Sequence, residues 1–161
     1  VAPCPHCVHT LKNEYPDFGG NYAFVHHTEF SRELIADGKI EMDASDEAVT
    51  FHDPCYLGRQ NDILIEPREV LAKSGAHLIE MHPSGQQSMC CGAGGAQMWK
   101  EEEEGDAAVN ATRFGQAQAT GADTLAVGCP FCMVMLNDAN NDQGQPMQVK
   151  DVAEVVAERM K

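Results

Sequence analysis

Short apolar runs alternate along this chain with stretches whose apolar positions fall three and four residues apart, the pattern of strands and helices in turn. Ala48-Val49-Thr50-Phe51, His77-Leu78-Ile79-Glu80-Met81 and Thr124-Leu125-Ala126-Val127 read as strands, and Tyr22-Ala23-Phe24-Val25 is a further brief run of β-formers. Helical spacing starts at Val8 and stops near Pro16 and Gly19-Gly20. It resumes with Phe30, Leu34 and Ile35 behind a cap at Thr28, with Ser31 as competitor, and ends at Asp37-Gly38. Further helices are predicted from Pro67 to Ser74 closing at Gly75, from Met98 to Gln118 as one or two pieces, and through Met133, Leu136 and Ala139 to Asn140-Asn141. A last helix follows an Asp151 cap, with Val152, Val155 and Val156 inward. Asp43 to Glu47 is a polar link. The alternation predicts an α/β, Rossmann-like layered unit with a mainly parallel sheet flanked by helices.

The cysteines are placed by these elements. Pro54 halts the first main strand and projects Cys55 into the turn after it, and Cys129 follows the third strand directly; open α/β sheets place their ligand crevices at such strand ends. Between them lies Ser88-Met89-Cys90-Cys91-Gly92-Ala93-Gly94-Gly95. Adjacent thiolates point different ways, which suits a polynuclear centre better than one ion, while the glycines admit positive φ and a close backbone approach. Cys129-Pro130-Phe131-Cys132 opens a helix whose free amides favour thiolates.

With 161 residues the chain can bury a core without staples, so its seven cysteines need a chemical explanation. Their grouping as C-x-x-C, C-C and C-x-x-C, without a secretory leader or an apolar run of membrane-spanning length, predicts metal or redox work in the cytoplasm. A formal net charge of −14 and the lack of a basic surface argue against nucleic acid. Val1-Ala2-Pro3-Cys4-Pro5-His6-Cys7 carries a C-x-x-C with almost no chain ahead of it, which predicts a fragment of a longer polypeptide. The Cys4 motif, with the strand and helix after it, echoes the Cys129 unit.

Cys55, Cys90-Cys91-Gly92 and Cys129-Pro130-Phe131-Cys132 together resemble the cysteine-rich CCG domain of heterodisulfide reductase, of the iron-sulfur subunits of glycolate oxidase and anaerobic glycerol-3-phosphate dehydrogenase, and of related reductases. The resemblance extends to His52-Asp53-Pro54-Cys55-Tyr56-Leu57-Gly58-Arg59, Glu66-Pro67-Arg68, Cys91-Gly92-Ala93-Gly94-Gly95 and Gly121-Ala122-Asp123, over about the last two thirds of the chain. The gap between Cys91 and Cys129 is slightly longer than is usual in the family. Such domains occur in tandem, the first ending in C-P-x-C. The resemblance therefore implies residues 1–45 as the tail of a preceding CCG domain plus linker, and 46–161 as a complete C-terminal one. It implies an iron-sulfur cluster, 4Fe-4S and non-cubane in the heterodisulfide reductase manner, on Cys55, Cys90, Cys91, Cys129 and Cys132, with Cys4 and Cys7 serving a cluster in the preceding domain. The implied function is an electron-transfer domain of an oxidoreductase subunit, disulfide-cleaving in some relatives, between a flavin- or iron-sulfur-containing subunit and a quinone or disulfide acceptor. Such a fragment is not expected to turn over alone, and the whole protein would associate with membranes through its other parts or partners.

Other readings stand beside this one. Thiolate-rich sites also take zinc, giving a structural assembly domain, and an isolated fragment can lose an oxygen-sensitive cluster. Cys4-Pro5-His6-Cys7 also looks like a thiol-disulfide exchange motif; in an isolated fragment its two cysteines are expected to face solvent, take adventitious metal or pair with each other. His52, the candidate catalytic residue, either donates to cluster sulfur, relays a proton, or fixes the turn. His26-His27 read as cap or packing residues, Arg59 as balancing site charge or making a surface ion pair, and Met89, Met98, Met133 and Met135 as core fillers. The Glu101 to Glu104 run reads as a solvated helical face.

Overall fold

In a computed structural model, which describes residues 1–101 and 105–161, four strands form one wholly parallel sheet. They are β1 (Ala48–His52), β2 (His77–Leu78), β3 (Thr124–Val127) and β4 (Gln148–Asp151), in the order β2-β1-β3-β4. Val49 pairs with Thr124 and His52 with Val127, and Val127 in turn pairs with Asp151. Every residue of β3 is buried, as a parallel strand covered on both faces requires. The helices are α1 (Pro5–His9), α2 (His27–Ala36), α3 (Cys55–Asn61), α4 (Ile65–Lys73), α5 (Val109–Gln118), α6 (Pro130–Asp142) and α7 (Val152–Ala157).

Strand alternation divides the core in two. Val49, Phe51 and Ala126 pack against Val70 and Leu71 of α4 and the three valines of α7. Leu125 and Val127 meet Phe114 and Ala117 of α5 and Leu136 and Ala139 of α6 on the opposite face. Each large side chain so buried contributes about 1.5–3 kcal/mol. The chain leaves β1 toward β2, then returns through α5 to β3 on the other side of β1. The strand order thus reverses between β1 and β3, and the crevice beyond their carboxyl ends is where ligands bind in open sheets of this kind. α4 closes at Gly75, whose φ of 79° is left-handed; a Cβ there would stand 2.7 Å from the Ser45 amide nitrogen.

A second, smaller copy of the β3-α6-β4-α7 ending lies at the amino terminus. Ala2 bridges His26 in parallel as Val127 pairs with Asp151. Cys4 and Cys129 each precede a helix that starts on proline. His26 closes a capping box with Glu29, and Asp151 closes one with Glu154. Sequence separations agree at each step, since Cys4 precedes His26 by as many residues as Cys129 precedes Asp151.

Several elements differ from the sequence reading. Tyr22–Val25 is irregular, with Tyr22 exposed, because only the bridge at His26 forms beside it. His26 rather than Thr28 or Ser31 caps α2. The second strand stops at Leu78, and Cys55 begins a helix instead of lying in a turn. Met98 to Gln118 holds the end of a 3-10 turn (Gly94–Trp99) and α5. The expected Glu101 to Glu104 face falls largely on residues 102–104, outside the described residues; Glu101 is exposed. Among the described residues no helix is long and apolar enough to cross a membrane.

Asp53, just beyond β1, is 2% exposed and held by both guanidinium nitrogens of Arg68 at 2.7 and 2.9 Å, with the Gly85 amide at 2.7 Å. Arg68 also grips Glu80 at 2.6 Å. Removing it strands a buried carboxylate, so Arg68→Ala is expected to lower stability by about 3 kcal/mol. The readout is the urea midpoint under anaerobic, reducing conditions.

Candidate metal centre

The five predicted cysteines converge beyond the carboxyl ends of β1 and β3. Cys55 opens α3 behind Pro54, Cys129 caps α6, and Cys132 lies one turn inside it. Cys90 and Cys91 arrive on the loop after β2. Cys91, Cys129 and Cys132 are buried, and Cys55 and Cys90 half-buried. The Cys91 and Cys132 sulfurs lie within 4.8 Å of each other and of a His52 ring nitrogen. All five border one cavity of about 370 Å³. Gly92, at φ 97°, turns the loop back: a Cβ there would stand 3.1 Å from Met135 Cε, and its amide donates to Cys90 Sγ at 3.3 Å.

The thiols of the group perturb one another's titration. Hydrogen bonds from Cys55 and Cys91 drive the Cys90 thiol far below the usual thiol range against the effect of burial, with the Gly92 and Gly94 amides adding. Cys129 is held down at about 5, first by Cys132, with His6 and the Phe131 and Cys132 amides assisting against burial. Cys55 is pushed up because it donates to Cys90 and is buried. Cys132 rises because it donates to Cys129 and Cys91 and is buried. Cys91 feels Cys132 as a lowering influence, but Cys90 and burial outweigh it and raise it to about 11. Ionising one thiol of the group thus works against ionising its neighbours. Full ionisation of five thiols in contact needs bound cations.

Beneath the sulfurs lies a group that the sequence reading did not single out. Arg113, on the inner face of α5, is 0% exposed. Its Nε donates to His52 Nδ1 at 3.0 Å, Nη1 to the Pro83 carbonyl at 2.9 Å and Gln116 Oε1 at 2.8 Å, and Nη2 to Ser88 Oγ at 2.8 Å. Burial lowers its pKa to about 10, so it stays cationic at neutral pH. Every acceptor is neutral, and among the described residues no carboxylate lies within salt-bridge distance of it. Asp53, out of contact, is the first group that favours its charge, and the sulfurs of Cys132 and Cys91 do so where they are ionised.

Arg113 also decides the state of His52. A guanidinium only donates, so Nδ1 accepts and the ring proton sits on Nε2. That Nε2 is buried without a partner, while His52, Cys91 and Cys132 offer atoms within 4.8 Å of one another. Burial first, and Arg113 next, hold the imidazole neutral, at about 3. It is therefore a buried N–H donor without a partner beside Cys91 and Cys132, and its Nε2 has no lone pair for a metal. The five thiols around one cavity, the unpaired donor and the guanidinium without a carboxylate in contact fit an anionic, sulfur-rich polynuclear group.

The remaining site expectations divide. Arg59 donates to the Ser88 carbonyl at 2.7 Å and so braces the loop before Cys90. Cys4 is buried rather than facing solvent, and Cys7 is exposed. Met133 and Met135 pack at the core edge. His26 and His27 serve as cap and packing residues.

The family model for the cysteine-rich CCG domain matches residues 49–137. The probable iron-sulfur-binding oxidoreductase FadF of Bacillus subtilis is 45% identical over 158 residues, covering 96% of this chain and 22% of the relative. The EtfAB:quinone oxidoreductase of Syntrophomonas wolfei is 38% identical, over 99% of this chain and 24% of its own. The dihydromethanophenazine:CoB–CoM heterodisulfide reductase of Methanosarcina barkeri has a subunit that is 33% identical, over 98% of this chain and 39% of its own. The chain thus spans 22 to 39% of the length of these relatives. With the family pattern met from β1 into α6, the chain belongs to the CCG cysteine-rich domain family.

Proposed function

We propose that Cys55, Cys90, Cys91, Cys129 and Cys132 hold an iron-sulfur cluster and that the chain is an electron-transfer domain of an oxidoreductase subunit. The observation that carries this reading is the convergence of five cysteines on one cavity at the β1/β3 crevice. Bound there, the cluster supplies one-electron chemistry. The protein's part is to present the sulfurs, to donate from His52 Nε2 and the Gly92 and Gly94 amides, and to set the buried charge of Arg113 beneath the site. Five thiolates suit an open, non-cubane four-iron cluster, whereas a structural zinc ion uses four ligands. Residues 46–161 would form this domain, with 1–45 the tail of a preceding one whose cluster Cys4 and Cys7 serve. A flavin- or iron-sulfur-containing subunit would be the electron donor and a quinone or disulfide the acceptor. The whole protein would sit in the cytoplasm or at the membrane face.

Anaerobically purified full-length protein is expected to contain iron and acid-labile sulfide, with an electron paramagnetic resonance signal assignable to this site. Cys91→Ser removes one of the five sulfurs and should eliminate that signal and the corresponding iron. Stoichiometric zinc with no iron in the anaerobic protein would overturn the reading.

A further inference from the structure

His6 belongs to the amino-terminal C-P-H-C segment, yet its ring borders the same cavity as the five cysteines of the carboxyl-terminal centre. It stacks on Tyr56 with centroids 4.0 Å apart and meets the edge of Phe131 at 5.4 Å. Those two rings belong to α3 and α6, beside Cys55 and Cys132 respectively, so the imidazole is clamped between the helices that present the sulfurs. Its polar edge reaches the amino-terminal group, with Nδ1 3.9 Å from Cys4 Sγ, while the ring shares the lining of the cavity with Cys129 and the other four cysteines.

Pseudo-symmetry isolates what this residue adds. In the internal repeat Cys4-Pro5-His6-Cys7 corresponds to Cys129-Pro130-Phe131-Cys132, so the counterpart of His6 is Phe131. Both positions fill the mouth of the cavity with an aromatic ring. The helix start thus accepts a ring with no polar edge, and the nitrogens of His6 are an addition to packing.

We infer that His6 is a positioning residue of the carboxyl-terminal centre, an N–H donor from the amino-terminal segment to the sulfur group held in that cavity, which joins the two cysteine groups through one imidazole. The inference rests on the proposed iron-sulfur reading. A donor to a ligating thiolate favours the more negative, reduced state and so raises the reduction potential of the group it holds. The amino-terminal segment would then tune a centre to which it contributes no ligand.

The test is a redox titration followed by electron paramagnetic resonance on the anaerobic full-length protein. It compares wild type with His6→Phe, which restores the counterpart ring, and His6→Gln, which keeps a side-chain N–H. A lower potential for the carboxyl-terminal centre in His6→Phe, recovered at least in part in His6→Gln with iron content unchanged, is the expected result. The same holds at the level of loading if His6→Phe loses iron and His6→Gln keeps it. Equal potentials in all three proteins, or equal loss of iron in both variants, would overturn the donor role. Wild type without iron would instead sink the iron-sulfur reading itself.

Discussion

Arg113→Met is expected to lower the stability of the metal-free protein by about 3–5 kcal/mol, the cost of leaving a buried polar network without its donor. The guanidinium ties four acceptors from four parts of the chain: His52 at the end of β1, Pro83, Ser88 on the approach to Cys90, and Gln116 on its own helix. Methionine fills much of the volume but satisfies none of them, and each stranded group costs about 1–3 kcal/mol. Lysine keeps the charge, but its compact ammonium cannot span four sites, so Arg113→Lys should recover only part of the loss. Urea titration under reducing, anaerobic conditions measures both, and a loss under about 1 kcal/mol for methionine would refute the structural assignment. A second expectation separates scaffold from site. Because the cation lacks a carboxylate in contact among the described residues, an anionic group bound on the sulfurs, as proposed, would add compensation that Asp53 gives only from a distance. The variant should therefore weaken iron retention beyond what its stability loss explains, and nitrogen NMR of His52 should show the Nε2–H tautomer fixed only while Arg113 is present.

That network marks where sequence reading stops. The strand ends bearing Cys55 and Cys129 were legible because proline follows or precedes each cysteine and an apolar run precedes both. Those features fixed the parallel sheet and the position of the crevice. β4 was missed because Gln148-Val149-Lys150-Asp151 is an edge strand with one apolar residue, and edge pairing needs no continuous apolar run. α3 was missed because Gly58 weakens its propensity; a Cβ there would stand 2.8 Å from Leu64. Tyr22–Val25 carries β-formers, yet β-propensity expresses a fit to neighbours, and among the described residues no strand flanks it. Arg113 had one local signal, a charge sharing a helical face with Phe114 and Ala117. Its meaning came only from acceptors distant in sequence. His6 was legible as part of a C-x-x-C and no further, since its partners Tyr56 and Phe131 come from other elements.

Acidification is expected to begin destabilising the metal-free protein above the pH range in which its carboxylates titrate. His26 is fully buried at the junction of the two repeats, where Nε2 donates to the Pro3 carbonyl at 3.2 Å and Nδ1 accepts from the Thr28 amide at 3.4 Å. Burial, then the neighbouring His27, lowers its pKa to about 3, and His52 is lowered to about 3 by burial and Arg113. Both fall from an unfolded value near 6.5, so between about pH 6.5 and 3 the unfolded chain binds more protons than the folded one. The stability these two histidines contribute is complete above pH 6.5 and falls as pH drops toward 3. Each histidine removes up to about 1.4 kcal/mol per pH unit, together about 3 kcal/mol. Against a domain stability of about 5–15 kcal/mol, two to three pH units suffice to approach unfolding. Glu47, held below the usual carboxylate range by Thr124 and Arg159 against its burial, adds a loss only at lower pH. Asparagine at position 26 keeps a side-chain oxygen for the cap and removes the titration. His26→Asn should therefore reduce the slope of stability against pH between 6 and 5 by about 1.4 kcal/mol per unit. An unchanged slope in that window would show that His26 is not a group through which acid acts.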